Sequence, residues 1–262
     1  ERMLDKISLE DIKEIASEAG KEIMKIYNKD FSVEYKDDKS PLTEADLKAN
    51  EIICNALQEL YPNIPIMSEE NKQIEYETRK NWDYYWCCDP IDGTKEFIKK
   101  NGEFTVNIAL IHKDTPVLGV VYAPAINEMY SAKQGGGAFL NGQKLPLKTN
   151  EDIKNSINIV ASKSHLSDET QEFIDNLTLN IKHSKLVSKG SSLKLCMVAS
   201  GEADIYPRLA PTMEWDTAAA DAIVRESGKM TYQFESYELM IYNKENLLNP
   251  WFVVKNKIGN MI

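Results

Sequence analysis

The chain of 262 residues is long enough to bury the core of one large domain or two modest ones. Hydrophobic residues make up 42% and charged residues 27%, a balance typical of a soluble globular enzyme, and no apolar run is long enough to span a bilayer. The formal net charge of −10 repels a nucleic-acid duplex, which argues against a polymer-binding role; a small anionic substrate stays compatible wherever metal ions or local basic side chains reverse the sign.

In chain order, Ser8 can cap a first helix whose apolar positions Ile12, Ile15, Ala16, Ala19, Ile23 and Tyr27 recur at spacings of three and four. A polar break from Asp37 to Pro41 precedes a second helix, starting near Thr43, with Ile52, Ile53, Ala56, Leu57 and Leu60 on one face. Pro62 and Pro65 end it and lead into the short apolar run Ile64 to Met67. Tyr84 to Cys88 reads as a buried strand, and Phe104 to Ile111, Val117 to Tyr122 and Glu128 to Ala132 as further strands. Gly135-Gly136-Gly137 and Asn141-Gly142 supply tight turns between them.

From about residue 151 the pattern alternates. Strands are expected at Ile157 to Ala161, Lys185 to Val187 and Ala203 to Tyr206. Helices are expected at Asp168 to Leu177, Leu193 to Ala199 and Thr217 to Ser227, the last stopping at Gly228. The fold class is therefore α+β with α/β character. Residues 1–150 form a subdomain of helices on a mainly antiparallel sheet, and residues 151–262 an α/β subdomain.

The four cysteines, Cys54, Cys87, Cys88 and Cys196, form no C-x-x-C pair and no zinc-binding spacing. The adjacent pair reads as buried thiols, and the absence of a secretory leader points to a reducing, cytoplasmic setting.

Acidic residues gather where apolar strands end. Ile66-Met67-Ser68-Glu69-Glu70 places two carboxylates after one strand, and Cys88-Asp89-Pro90-Ile91-Asp92-Gly93-Thr94 places two more after another. Pro90 cannot donate to a sheet ladder, so the strand is expected to stop at Asp89, and Gly93 lets the chain turn sharply. Such a turn brings Asp89 and Asp92 together and offers the Ile91 carbonyl, an oxygen set suited to Mg²⁺. Asp-Pro and Asp-Gly are also ordinary turn formers, and on spacing alone both readings stand. Asp216 reads as a helix N-cap and Asp46, three residues after Thr43, as part of a capping box.

Taken together and in order, Asp38 to Asp46, Ser68-Glu69-Glu70, Asp89 to Thr94 and Trp215 to Gly228 resemble the signatures of the lithium-sensitive inositol monophosphatase superfamily over nearly the whole chain. Gly190 to Cys196, Ala203 to Arg208 and Pro211 to Asp216 are similar to the nucleotide-handling region of its 3′(2′),5′-bisphosphate nucleotidase branch. The chain departs from the usual pattern at Ser68, where many relatives have glycine, and at Ala210, Ala220 and Lys229.

The resemblance implies a layered αβαβα sandwich of the sugar phosphatase type and a site holding two or three Mg²⁺ ions. Glu69, Asp89 and the Ile91 carbonyl would hold one ion, and Asp89, Asp92 and Asp216 another. Thr94 with Asp46, and Glu70 nearby, would orient and deprotonate the attacking water, with no covalent enzyme intermediate. Gly93, Thr94, His165, Ser191, Lys194 and Arg208 would contact the substrate; Ser191 and Lys194 lie near a helix start, and Arg208 offers a planar fork for phosphate or for stacking on adenine.

The implied reaction is hydrolysis of adenosine 3′,5′-bisphosphate to AMP and phosphate, which clears a by-product of sulfate activation, with inhibition by lithium. Alternatives are an inositol or sugar monophosphate phosphatase and, in another class, a non-catalytic metabolite sensor. The expected partner is a small phosphorylated metabolite, without nucleic-acid polymer or transmembrane segment. The expected location is cytoplasmic, with peripheral contact at the inner membrane left open along with the oligomeric state.

Overall fold

The structure, a computed structural model, describes residues 2–37, 41–162 and 166–259. A 3-10 turn (Met3–Lys6) leads into helix α1 (Leu9–Tyr27), capped by Ser8, whose Oγ accepts the Asp11 N–H at 3.3 Å. The hairpin of β1 (Val33–Tyr35) and β2 (Pro41–Thr43) occupies what the sequence pattern marks only as a polar break. Helix α2 (Glu44–Leu60) follows at once.

Seven strands then form one sheet in chain order: β3 (Ile66–Ser68), β4 (Tyr84–Asp92), β5 (Thr105–His112), β6 (Thr115–Ala123), β7 (Glu128–Lys133), β8 (Ala138–Leu140) and β9 (Gln143–Lys144). β3 pairs parallel to β4, and every later pair is antiparallel. Short helices α3 (Tyr76–Arg79) and α4 (Thr94–Lys99) flank β4.

Both faces of this sheet are covered, and the strands show why. Side chains alternate along β4, so Trp86 and Cys88 enter the cluster under α1 and α2 while Tyr85 and Cys87 enter the opposite one. Val106, Ile108 and Leu110 on β5 repeat the first set, Ala109 and Ile111 the second. The adjacent thiols are therefore buried on opposite faces, and all four cysteines are free.

Beyond residue 150, β10 (Ser156–Ala161) and β11 (His183–Ser188) pair in parallel, with α5 (Asp168–Thr178) between them in sequence. After α6 (Leu193–Ser200) come β12 (Tyr206–Arg208), α7 (Glu214–Glu226), β13 (Lys229–Gln233) and β14 (Phe252–Asn256). The last three strands form an antiparallel sheet ordered β12-β14-β13, joined to β10 by a parallel bridge between Ile159 and Ile205. The layers run α1/α2, large sheet, α6/α7, second sheet, α5: an αβαβα sandwich. The largest core cluster draws on residues from both sides of position 150. Among the described residues, no helix is long and apolar enough to cross a membrane.

Three expectations are corrected. β4 does not stop at Asp89: pairing with β5 resumes at Asp92–Thr105 after a register shift, so Pro90 sits in a bulge where no ladder donor is needed. The strand expected at Ala203 to Tyr206 runs Tyr206–Arg208, because only from Tyr206 does the chain align with Val254 on β14. Helix α7 begins at Glu214, not Thr217, which makes Asp216 its third residue rather than its cap. Met213 is the cap, and its N–H donates to Asp216 Oδ2 at 2.8 Å.

The approach of α7 to the sheet is set by one glycine. A Cβ at Gly119 on β6 would lie 2.1 Å from the Ala219 carbonyl oxygen, so only glycine admits the helix at this depth. Ala218, Ala219, Ala220 and Ala222 give the matching helix face short side chains.

Candidate active site

Five chain segments end around one cleft of about 400 Å³. β4 supplies Asp89 and Asp92 from either side of its bulge, β3 leads into Glu69, and the start of α7 brings Asp216. Ser191, Ser192 and Lys194, at the entry to α6, form one part of its wall, and Arg208 at the end of β12 another.

The carboxylates of Asp89, Asp92 and Asp216 each present an oxygen within 4.8 Å of the others. Asp89 is buried, the other two partly so, and Asp89 Oδ1 has no hydrogen-bond partner. Burial, and then the negative charge of Glu69 and Asp92, pushes the Asp89 carboxyl well above the usual aspartate range. Asp92 is raised by desolvation and by Asp216, against the pull of Lys194 and the Ser192 amide. Asp216 is pushed up to about 6 by desolvation, with Glu69 adding to it and the Met213 amide opposing it. Three acids forced together in a poorly solvated cleft, with an orphaned carboxylate oxygen among them, form a donor set that a hard divalent cation fits and neutralises. Glu69 lines the same cleft but stands outside this trio.

Lys36 also holds Glu69, and the sequence pattern did not single it out. Its Nζ lies 2.7 Å from Glu70 Oε1 and 3.4 Å from Glu69 Oε1, so one ammonium spans both glutamates. The signal was weak: a lysine in a mixed-charge stretch ahead of Pro41 reads as a solvated loop until the chain folds over the glutamates. Glu70 itself is nearly enclosed, and burial raises its carboxyl despite the lysine.

Asp46 is a buried carboxylate at the third position of α2. Its Oδ2 accepts the Thr43 N–H at 2.9 Å and the Thr43 hydroxyl at 2.6 Å, the expected capping geometry. Its Oδ1 accepts the Thr94 hydroxyl at 2.9 Å. Thr94 reaches it because Gly93, at φ +88°, turns the chain from β4 into α4; a Cβ there would also press on Ser191 Cβ at 3.1 Å. The structure thus places Thr94 on the cleft wall with Asp46 behind it. Burial raises the Asp46 carboxyl against these three hydrogen bonds.

On the basic side, Lys194 is buried, its Nζ donating to the Lys189 carbonyl at 3.2 Å and lying 5.8 Å from the centre of the Tyr206 ring. Burial, then the charge of Arg208, lowers it to about 8. Arg208 Nη2 donates to the Pro211 carbonyl at 3.3 Å, while its Nε and the Ser191 hydroxyl are buried without partners. Behind them, Thr105 and Asn107 on β5 hydrogen-bond Ser192 Oγ at 2.7 and 2.8 Å, which fixes the entry to α6 against the sheet. Ile91 and Gly93 line the cleft as well. His165 and Asp38 lie outside the described residues.

A family model for the inositol monophosphatase family matches residues 5–257. The chain belongs to this family. It is 43% identical to the 3′(2′),5′-bisphosphate nucleotidase CysQ of Salmonella typhimurium, over 94% of this chain and 98% of that one. Against the protein of the same name from Escherichia coli K12 the figure is 42%, with the same coverage. Among solved structures, CysQ from Bacteroides thetaiotaomicron superposes with a TM-score of 0.86 at 43% identity, covering 95% of this chain and 97% of that one. An IMPase from Thermotoga maritima follows the same fold, with a TM-score of 0.74 at 27% identity and coverage of 93% and 90%.

Proposed function

We propose that this protein is a Mg²⁺-dependent phosphomonoester hydrolase, a 3′(2′),5′-bisphosphate nucleotidase that converts adenosine 3′,5′-bisphosphate to AMP and phosphate. The observation that carries the reading is the presence of both charges in one cleft: three carboxylates within 4.8 Å of one another, lining it together with buried Lys194 and with Arg208. A substrate with two phosphates suits such a site, one phosphate being cleaved beside the acids and the other held by the cations. The likeness to relatives named as bisphosphate nucleotidases gives the substrate its chemical identity.

Asp89, Asp92 and Asp216 would hold the metal, with Glu69 and the Ile91 carbonyl able to complete an all-oxygen set for more than one ion. Bound there, Mg²⁺ supplies positive charge that acidifies water and stabilises the oxygen leaving phosphorus. Thr94 donates its hydroxyl proton to Asp46 Oδ1, so its lone pairs are free to accept a hydrogen bond from water in the cleft. As that water attacks phosphorus, its proton passes to Thr94 Oγ1 while the threonine proton moves to Asp46, whose raised affinity suits it as the terminal acceptor. The P–O bond breaks, and the leaving alkoxide takes up a proton from solvent. No side chain forms a covalent bond to phosphorus. Arg208 and Ser191, with buried polar atoms lacking partners, hold the second phosphate beside Lys194. Four free cysteines suit a cytoplasmic location.

Release of inorganic phosphate is the test, measured with adenosine 3′,5′-bisphosphate, inositol 1-phosphate and fructose 1,6-bisphosphate, with and without Mg²⁺. Turnover of the nucleotide should exceed the other two by at least about tenfold in kcat/KM and vanish in EDTA. A clear preference for the inositol or sugar phosphate would overturn the substrate assignment.

A further inference from the structure

We infer that Asn50 is a positioning residue that sets where Glu69 and Glu70 stand relative to Asp46. The inference rests on the reading of the site given above and concerns residues that this reading leaves without a role. Asp46, Asn50 and Cys54 are four residues apart in succession on α2, so they share one helix face. Asp46 is occupied by Thr94 and Thr43. One turn further along, about 6 Å by helix rise, Asn50 faces the loop that follows β3.

That loop is a turn of four residues, Ser68 to Asn71, closed by the Asn71 N–H donating to the Ser68 carbonyl at 3.1 Å. Glu69 and Glu70 are its two central residues. Asn50 grips both ends: its Oδ1 accepts the Ser68 hydroxyl at 2.6 Å, and its Nδ2 donates to Asn71 Oδ1 at 2.8 Å. Cys54 Sγ, 3.4 Å from Asn50 Oδ1 and 3.6 Å from Asn71 Nδ2, closes the ring of contacts. An uncharged amide both accepts and donates at its tip, which these two opposite demands require.

The clamp has a load to bear. Glu70 feels the negative charge of Glu69 and Asp46, and Asp89 that of Glu69. Without a cation this repulsion drives the turn outward, away from β4 and α2. The Glu69 N–H, donating to the Cys88 carbonyl at 3.2 Å, and Lys36 oppose that movement from the β4 side and from the hairpin. Asn50 opposes it from the helix that carries Asp46. A glutamate held at fixed distance from the Asp89 trio costs less to organise when a divalent ion arrives, so the clamp is expressed as metal affinity.

Asn50→Leu and Ser68→Ala, singly and together, test this by calorimetric titration of the metal-free proteins with Mn²⁺, alongside kcat and KM for the nucleoside bisphosphate. Each single variant should weaken Mn²⁺ binding roughly 10-fold and lower kcat while KM stays within about twofold. The double variant should be no worse than the poorer single one, since both remove the same hydrogen bond. Ser68→Ala keeps the test open if Asn50→Leu fails to fold. A purely structural role would lower the melting temperature of the metal-free protein and leave Mn²⁺ affinity within about twofold of wild type; that result overturns the inference while the site reading stands. A wild-type protein that takes up no divalent ion removes the site reading and this inference with it.

Discussion

At Asp46 three hydrogen bonds converge on one buried carboxylate, two from Thr43 and one from Thr94. Capping alone would use only the first two. The third gives the residue a chemical use, because it connects a carboxylate out of contact with solvent to a hydroxyl on the cleft wall. Asp46→Asn and Thr94→Val should each lower kcat by roughly 100-fold or more with little change in KM, and the double variant should be no slower than the worse single one. Steady-state kinetics on the three proteins decides this; additive losses would mean two independent roles. Asp216 makes a separate prediction through linkage. Its carboxyl titrates near 3.8 when unfolded and at about 6 in the fold, so the folded state binds the proton more tightly. Its contribution to stability is full below the unfolded value and is lost as pH rises through about 6. The melting temperature of the metal-free wild type, relative to that of Asp216→Asn, should therefore fall between pH 4 and pH 6.5 and level off above, as read by thermal denaturation in EDTA. Saturating Mg²⁺ at neutral pH should restore it, since binding to the folded state alone stabilises by mass action.

Helix α7 and strand β4 do more for the site than any single residue, because their placement decides whether Asp216 meets Asp89 and Asp92. Gly119 permits the helix to sit against β6, and Gly119→Ala must displace either the Ala219 carbonyl or the strand. That substitution should cost about 1–3 kcal/mol on denaturant unfolding and weaken divalent-ion binding, as overpacking moves the helix whose first turn bears Asp216. Unchanged ion binding in a destabilised variant would separate packing from site geometry. The same elements show what could be read from the chain alone. The helices at Leu9–Tyr27 and Asp168–Thr178 and the four long strands β4 to β7 follow from apolar period and turn residues, which are local signals. The bulge at Pro90, the early start of α7 and the β1–β2 hairpin depend on partners far along the chain, Thr105, Leu247 and the glutamates, and period carries no trace of them. Glu69, Asp89 and Asp92 were legible because they follow apolar runs, and Asp46 and Asp216 because they sit at helix starts. That Asp89, Asp92 and Asp216 face one another, while Glu69 is drawn toward Lys36, is a tertiary fact.

For the whole molecule, two sheets and three helical layers bring the carboxyl end of β4 and the amino ends of α2, α6 and α7 to one place. Helix starts favour anions, strand ends deliver carboxylates, and a cation between them lets phosphate approach a protein of net charge −10. Metal removal should accordingly abolish turnover without unfolding the chain, since the three core clusters contain no metal-binding side chain of the trio. Circular dichroism before and after EDTA treatment checks that outcome. The cage of carboxylates can be seen in a crystal grown with Mn²⁺, through its anomalous difference map. A peak is expected bonded at about 2 Å to oxygens of Asp89, Asp92 and Asp216. A protein that hydrolyses the bisphosphate with Mn²⁺ yet shows no peak among those three carboxylates would contradict that cage.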